Sequence, residues 1–309
     1  MEPPVPRAPG DSKRSRSRDE RIRLDIARAD IARLFDDLPA RVLTRRQIDE
    51  FVAQNRAFWR LADVTTTQTF INFMLEDGRL KSLTLSFPSR NVIRYTWGEV
   101  PFYQTVLSLK PGAYFSHYTA MHLHELTEQI PKTLYLNHEQ SPKPRGSGDL
   151  TQERIDAAFR RPPRMTRSIA AYEDRRVCVL NGMHTDQLGV VDTVGPEGEQ
   201  LRVTNVERTL IDATVRPVYA GGVFEVLHAF RAARDRVSIN RLCAMLRKLD
   251  YVYPYHQAIG FYLERAGGYR RSQIDLLRRF EMRHDFYLTY QMDQPDFSAD
   301  WRLFVPKGF

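Results

Sequence analysis

With 309 residues, 42% of them hydrophobic, the chain can bury one large core or two modest ones, and two or more domains are expected. No apolar run reaches the roughly 18 residues that a membrane span requires, and the first residues lack the apolar stretch of a signal peptide. Cys178 and Cys243 are too few for a disulfide framework or a zinc ribbon, so a reducing cytoplasm is the expected setting.

Net charge is +8, and residues 1–98 hold most of the excess, with 18 basic against 13 acidic side chains. That balance favours a polyanionic partner at the N-terminal end, although solubility charge accounts for it equally well. Residues 1–23 open with Pro-rich sequence and continue through Lys13, Arg14, Arg16 and Arg18. Without apolar residues to fold around, they are expected as a disordered basic tail, either solvated or laid along phosphates.

From Leu24 the apolar residues Leu24, Ile26, Ala27, Ile31, Leu34, Phe35 and Leu38 recur at helical spacing until Pro39 stops the pattern. A second helix starts at Thr44, where Thr44-Arg45-Arg46-Gln47 has the form of a capping box; Ile48, Phe51 and Val52 would face the core. Phe58, Trp59 and Leu61 are expected to wedge the helices together. A third helix is read over Val64–Gly78. At about 100° per residue, Phe70, Ile71, Phe73, Met74 and Leu75 gather on one side of it. The other side carries Thr65, Gln68, Thr69, Asn72 and Glu76. Such groups read base edges in a major groove, and Gln and Asn pair best with adenine. A solvated helix face is the plainer account of the same residues.

Gly78 ends this helix where positive φ is wanted. Leu83, Leu85 and Phe87 then alternate with Ser82, Thr84 and Ser86, and Pro88-Ser89-Arg90-Asn91 supplies turn chemistry. Val92–Trp97 returns with the same period, completing a hairpin. Helix, turn, helix and hairpin in this order give a winged helix-turn-helix over residues 24–98. Arg90 at the tip of the wing and Lys81 beside it, with Arg45 and Arg46 on the second helix, are candidates for phosphate contact.

After Gly98 and Pro101 the texture changes. A short helix is expected over Phe102–Leu109, a strand over Thr133–Leu136 and a polar loop over residues 137–149. Further strands are read at Val177–Leu180, Leu188–Val194 and Gln200–Val203, and helices begin at Thr151, Asn205 and Gly222. Three more helices (Ser238–Leu249, Pro254–Ala266, Arg270–Phe280) precede a late strand over Phe286–Tyr290. Strands segregated from a run of helices indicate α+β: an N-terminal winged helix-turn-helix followed by a larger mixed α/β C-terminal domain, residues 99–309.

Two stretches of the second part resemble AbiEi-type antitoxins. One is Tyr114-Phe115-Ser116-His117-Tyr118-Thr119-Ala120-Met121-His122-Leu123-His124 with Pro131-Lys132-Thr133-Leu134-Tyr135-Leu136. The other is Val203-Thr204-Asn205-Val206-Glu207-Arg208-Thr209-Leu210-Ile211-Asp212 followed by Gly221-Gly222. Glu125 departs from the pattern, since family members often carry Gly after the second His. The resemblance covers roughly residues 25–265. It implies the antitoxin of a type IV toxin–antitoxin operon, repressing its own promoter at inverted repeats in double-stranded DNA and countering a nucleotidyltransferase-like toxin. A cytoplasmic, nucleoid-associated protein would follow, bound as a monomer or a dimer on DNA.

The same residues admit other readings. His117, His122, His124 and Glu125 invite a metal, but on one helix His122 falls on the far side from the other two, so no metal site is expected. Glu207 and Asp212 could serve a DNA-targeted nuclease, yet they point apart around a helix. Glu207 is better explained by the helix dipole and Arg208 by a local carboxylate or carbonyl. Gly221-Gly222 would let chain segments approach closely. No phosphate-cradling glycine loop, G-x-S-x-G or H-E-x-x-H occurs, so neither a cofactor nor an enzyme is expected. A winged helix that binds only protein is the third alternative.

Overall fold

The structure, a computed structural model, describes residues 9–143 and 149–309. The chain forms two compact units, Met1–Thr105 and Val106–Phe309. The division falls a few residues beyond the expected boundary at 98.

In the first unit α1 (Pro9–Asp36) is followed by β1 (Val42–Leu43), α2 (Arg45–Asn55), α3 (Thr67–Glu76), β2 (Leu80–Phe87) and β3 (Arg90–Trp97). Residues 1–8 of the expected tail lie outside the described residues. From Pro9 to residue 23, however, the backbone is helical rather than disordered. After Gly10 no Gly or Pro interrupts α1, and its Arg, Lys and Glu residues have high helix propensity, with Arg23 paired to Asp19 one turn away. The buried stripe of α1 is Leu24, Ala27, Ile31 and Phe35; Ile26 lies off it and is exposed.

The Thr44 capping box forms as read: Thr44 Oγ1 accepts from Gln47 N and Gln47 Oε1 accepts from Thr44 N. It starts α2 with Ile48 and Val52 buried and Phe51 half-buried. Trp59 and Leu61 are buried, whereas Phe58 is exposed on the turn just before the chain reverses at Arg60 (φ +52). Phe35 meets Trp97 at 4.8 Å and Trp59 stacks on Phe70 at 5.7 Å, closing an aromatic core. Trp97 Nε1 donates to Asp36 Oδ1 at 2.7 Å, tying the end of β3 to the end of α1. The hairpin β2–β3 pairs in full register from Leu80↔Trp97 to Phe87↔Arg90 around the two-residue turn Pro88-Ser89. β1 adds to its far end through Val42↔Thr96.

Through helix α4 (Phe102–Leu107) the chain crosses the division into the second unit. It continues through β4 (Tyr114–Phe115), α5 (His117–Leu123), β5 (Thr133–Glu139), α6 (Gln152–Phe159), β6 (Ile169–Tyr172), β7 (Arg175–Gly182), β8 (Val190–Val194) and β9 (Gln200–Thr204). Helices α7 (Val206–Val215), α8 (Val223–Ala232), α9 (Ile239–Leu249), α10 (Tyr255–Ala266) and α11 (Arg271–Arg278) follow. The strands of this unit are ordered β6-β7-β5-β4-β9-β8, with β5/β7 and β4/β9 parallel and the other neighbours antiparallel. A small second sheet joins β10 (Phe286–Tyr287), β11 (Asp296–Ser298) and β12 (Leu303–Val305). The fold is therefore α+β.

Asn137–Glu139, expected in a loop, extend β5 because Asn137 pairs with Leu180 of β7. Residues 144–148 of that loop lie outside the described residues. The helical core is sealed by Trp301, which lies flat against Gly260 of α10: a Cβ there would sit 2.0 Å from its ring. Trp301 Nε1 donates to Glu264 Oε2 at 2.7 Å. Among the described residues no helix is long and apolar enough to cross a membrane.

Candidate functional site

The site expected on the third helix is built from Thr66 onward. Thr66 is the N-cap of α3, its side chain accepting from Thr69 N at 3.1 Å, and the helix proper starts at Thr67. This corrects the expected role of Thr65. It precedes the helix and is only 1% exposed, so it cannot meet a groove. Phe70, Ile71, Phe73 and Met74 fill the core, which leaves Gln68 and Asn72 outward and one turn apart. Gln68 Nε2 donates to Asn72 Oδ1 at 2.9 Å. The linked pair presents a remaining acceptor on Gln68 and a remaining donor on Asn72, the pattern an adenine edge matches. Thr69 is half-buried, and its hydroxyl lies 2.9 Å from that of Thr66. Thr67 hydrogen-bonds Asp49 of α2, which fixes the angle between the two helices.

The charged candidates divide differently from the expectation. Arg45 and Arg46 are exposed on the first turn of α2, where Arg46 pairs with Glu50 at 2.8 Å. Arg90 is exposed beside the hairpin turn. Lys81 is not beside it: Lys81 pairs with Thr96 and Arg90 with Phe87, six residues along the strand, or about 20 Å at a strand's rise. The ammonium of Lys81 is held by Glu99.

In the second unit the two family-like stretches meet. Ser116-His117 opens α5, where His117 takes a left-handed backbone (φ +50) and is 8% exposed. Its Nδ1 shares a hydrogen bond with Ser116 Oγ at 2.8 Å. Burial pushes the His117 imidazole down to about 4; Asp212 opposes that shift while Arg208 and Arg216 add to it. Arg208 and Asp212 of α7 form a buried ion pair at 2.8 Å, and Arg208 also donates to the Leu188 carbonyl at 2.8 Å. The local carboxylate and carbonyl expected for Arg208 are thus both found.

Glu207 is turned elsewhere. It accepts from Ser238 N at 3.0 Å, capping the start of α9 as well as sitting in the first turn of α7. His124 Nε2 lies 2.6 Å from the Thr204 carbonyl. Among the described residues no three His, Cys, Asp or Glu side chains gather to hold a metal ion. Gly221 lets Tyr118 approach: a Cβ would fall 2.8 Å from its ring.

Around His117 and Arg208 lie Asn137, Arg164, Arg216 and Tyr251, none of which the sequence singled out. They come from four separate stretches, and only the pairing of β5 with β7 and the packing of α7 bring them together. Comparison with protein-family models and with curated proteins gives no match. The chain is similar to a solved structure, the crystal structure of the Rv2827c protein from Mycobacterium tuberculosis. That likeness has a TM-score of 0.55 and 14% identity over 90% of each chain. At this identity it is a likeness of fold.

Proposed function

We propose that the chain is a sequence-specific DNA-binding repressor whose first unit is a winged helix-turn-helix, acting as the antitoxin of a type IV toxin–antitoxin operon. The order α1-β1-α2-α3-β2-β3, with β1 added to the hairpin, supports the winged reading. The observation that carries the proposal is the Gln68–Asn72 pair, exposed on a helix whose other side is core. Arg45, Arg46 and Arg90 would hold phosphates, and Lys81 would do so on leaving Glu99. The antitoxin role, with a nucleotidyltransferase-like toxin as partner, rests on the family-like stretches of the second unit.

An electrophoretic shift with the protein's own upstream region tests the reading. Replacing Gln68 or Asn72 by Ala should cost about 1–3 kcal/mol each and relax specificity, whereas Arg90→Ala should weaken all sequences alike and flatten the salt slope. Undiminished affinity in the Gln68/Asn72 double variant removes α3 as the reading helix. Coexpression with a neighbouring nucleotidyltransferase-like reading frame should restore growth if the second role holds. The nuclease alternative is disfavoured, since Glu207 caps α9 and Asp212 is paired to Arg208. A protein-binding winged helix would show no salt-dependent affinity for DNA.

A further inference from the structure

The second unit contains a cavity of about 470 Å³ for which DNA reading has no use. It opens where the parallel strands β5 and β7 end, lined by Asn137 of β5 and by Asn181 and Gly182 of β7. The crevice beyond the carboxyl ends of parallel strands is the usual ligand position in open sheets, and this volume lies within the range of small-molecule sites.

Its deep side is polar and fixed. Asn137 is 6% exposed and donates through Nδ2 to the Tyr114 hydroxyl at 2.7 Å; its Oδ1 has no partner among the described residues. Gly182 leaves the room that amide occupies, because a Cβ there would sit 2.6 Å from Oδ1. His117 is equally buried, and with Nδ1 held by Ser116 its Nε2 has no partner among the described residues. A left-handed histidine persists only where its surroundings over-determine it, and such strain concentrates at ligand sites.

The charge is one-sided. Arg208 and Asp212 compensate each other, while Arg164 and Arg216 have no carboxylate partner among the described residues. Tyr219 and Tyr251 add aromatic walls, and Met165 and Met183 apolar ones.

We propose that this cavity is a binding site for a nucleoside phosphate. Arg164 and Arg216, exposed and half-buried at the open side, take the phosphate. The base lies against the tyrosines, with Asn137 Oδ1 accepting from it and His117 Nε2 meeting its edge. A lone oxyanion would leave the amide, imidazole and aromatic walls without a role, and an uncharged ligand would leave the two arginines without one.

Titration calorimetry of the full chain with AMP, GMP, CMP and UMP tests the site, with inorganic phosphate and the four nucleosides as controls. At least one monophosphate should bind with a Kd below about 1 mM, and its nucleoside and phosphate alone about tenfold more weakly or worse. Arg164→Ala and Arg216→Ala should each weaken that monophosphate about tenfold while melting like the parent. His117→Asn should weaken it too and serves as the deep-side probe. Absence of binding by all four monophosphates overturns the proposal. Phosphate binding as tightly as any monophosphate reduces the site to an oxyanion cradle, and unchanged affinity in the Arg164/Arg216 double variant places the ligand elsewhere. No DNA is present in this titration, so its failure and that of the repressor reading are separate.

Discussion

The two units differ in where they place the polar side chains that the candidate sites use. In the first, the core is mainly aliphatic and aromatic, with Thr65, Arg94 and Thr96 as buried polar side chains, and the amides of interest, Gln68 and Asn72, lie outside on α3. In the second, the interior itself holds an ion pair, a histidine, an asparagine and a capping glutamate: Arg208–Asp212, His117, Asn137 and Glu207. Burying such groups is costly unless they are paired, and each of these is held through at least one polar atom, while Asn137 Oδ1 and His117 Nε2 face the cavity without a partner among the described residues. A surface row can change its residues at little cost to folding, whereas an interior network makes recognition and stability inseparable. Substitution in the two places should therefore differ in kind.

The largest effect is expected at the buried pair. Asp212→Ala leaves the Arg208 guanidinium buried without its carboxylate and should destabilise the second unit by about 3–5 kcal/mol in urea unfolding. Replacing both residues together, Arg208→Met with Asp212→Leu, should recover much of that loss, because no unpaired charge remains. The exposed Arg46–Glu50 pair of α2 is the counterpart in the first unit, and breaking it should cost only about 0.3–0.5 kcal/mol. Equal losses at the two pairs would erase the contrast.

Acid separates the units next. All eight histidines lie in the second unit. Burial pushes His117 and His256 down to about 4. An unfolded histidine titrates at its ordinary value of 6.5, so between pH 6.5 and 4 the unfolded chain binds protons that the folded one refuses. Stability is then complete above pH 6.5 and drains as pH falls through this window, by about 3 kcal/mol for His117 alone. Amide exchange at pH 6.5 and 5 should show protection lost from the second unit first. His117→Asn should flatten the dependence.

What could be read from sequence follows the same division. The Thr44 capping box, the Asn205 cap and the apolar side of α3 depend on residues within a turn or two of each other, and each forms as expected. The sequence misleads where one residue decides a boundary: α3 is capped at Thr66 instead of running from Val64, so Thr65 is buried ahead of it, and Phe58 is exposed just before the reversal at Arg60. The strands β4 and β6 leave no pattern in the sequence, because at two and four residues they are too short to show a period of two. Nothing local marks the cavity. Asn137, Arg164, Arg216 and Tyr251 look like ordinary loop and helix-end residues until the strand pairing assembles them.

The smallest effect concerns the way each unit ends a helix. After α3 the chain turns at Gly78 (φ +78), and a glycine there carries no steric penalty. After α5 the same left-handed position is filled by Glu125 (φ +56). Leu126 N donates to the Met121 carbonyl at 2.8 Å and Glu125 N to that of His122 at 2.9 Å, the two bonds of a Schellman exit. Glutamate pays for that backbone in steric strain, and its contact with Arg236, 3.9 Å apart with the carboxylate 90% exposed, contributes little. Glycine would relieve the strain but lose more freedom on folding, so Glu125→Gly should stabilise by about 0.5–1 kcal/mol. Gly78→Ala, made in the other direction, should cost about 1 kcal/mol. Both should move the urea midpoint with the slope unchanged, since neither alters the surface exposed on unfolding. A destabilised Glu125→Gly would mean that the exposed carboxylate holds Arg236, and through it the His124 carbonyl, more firmly than its distance allows.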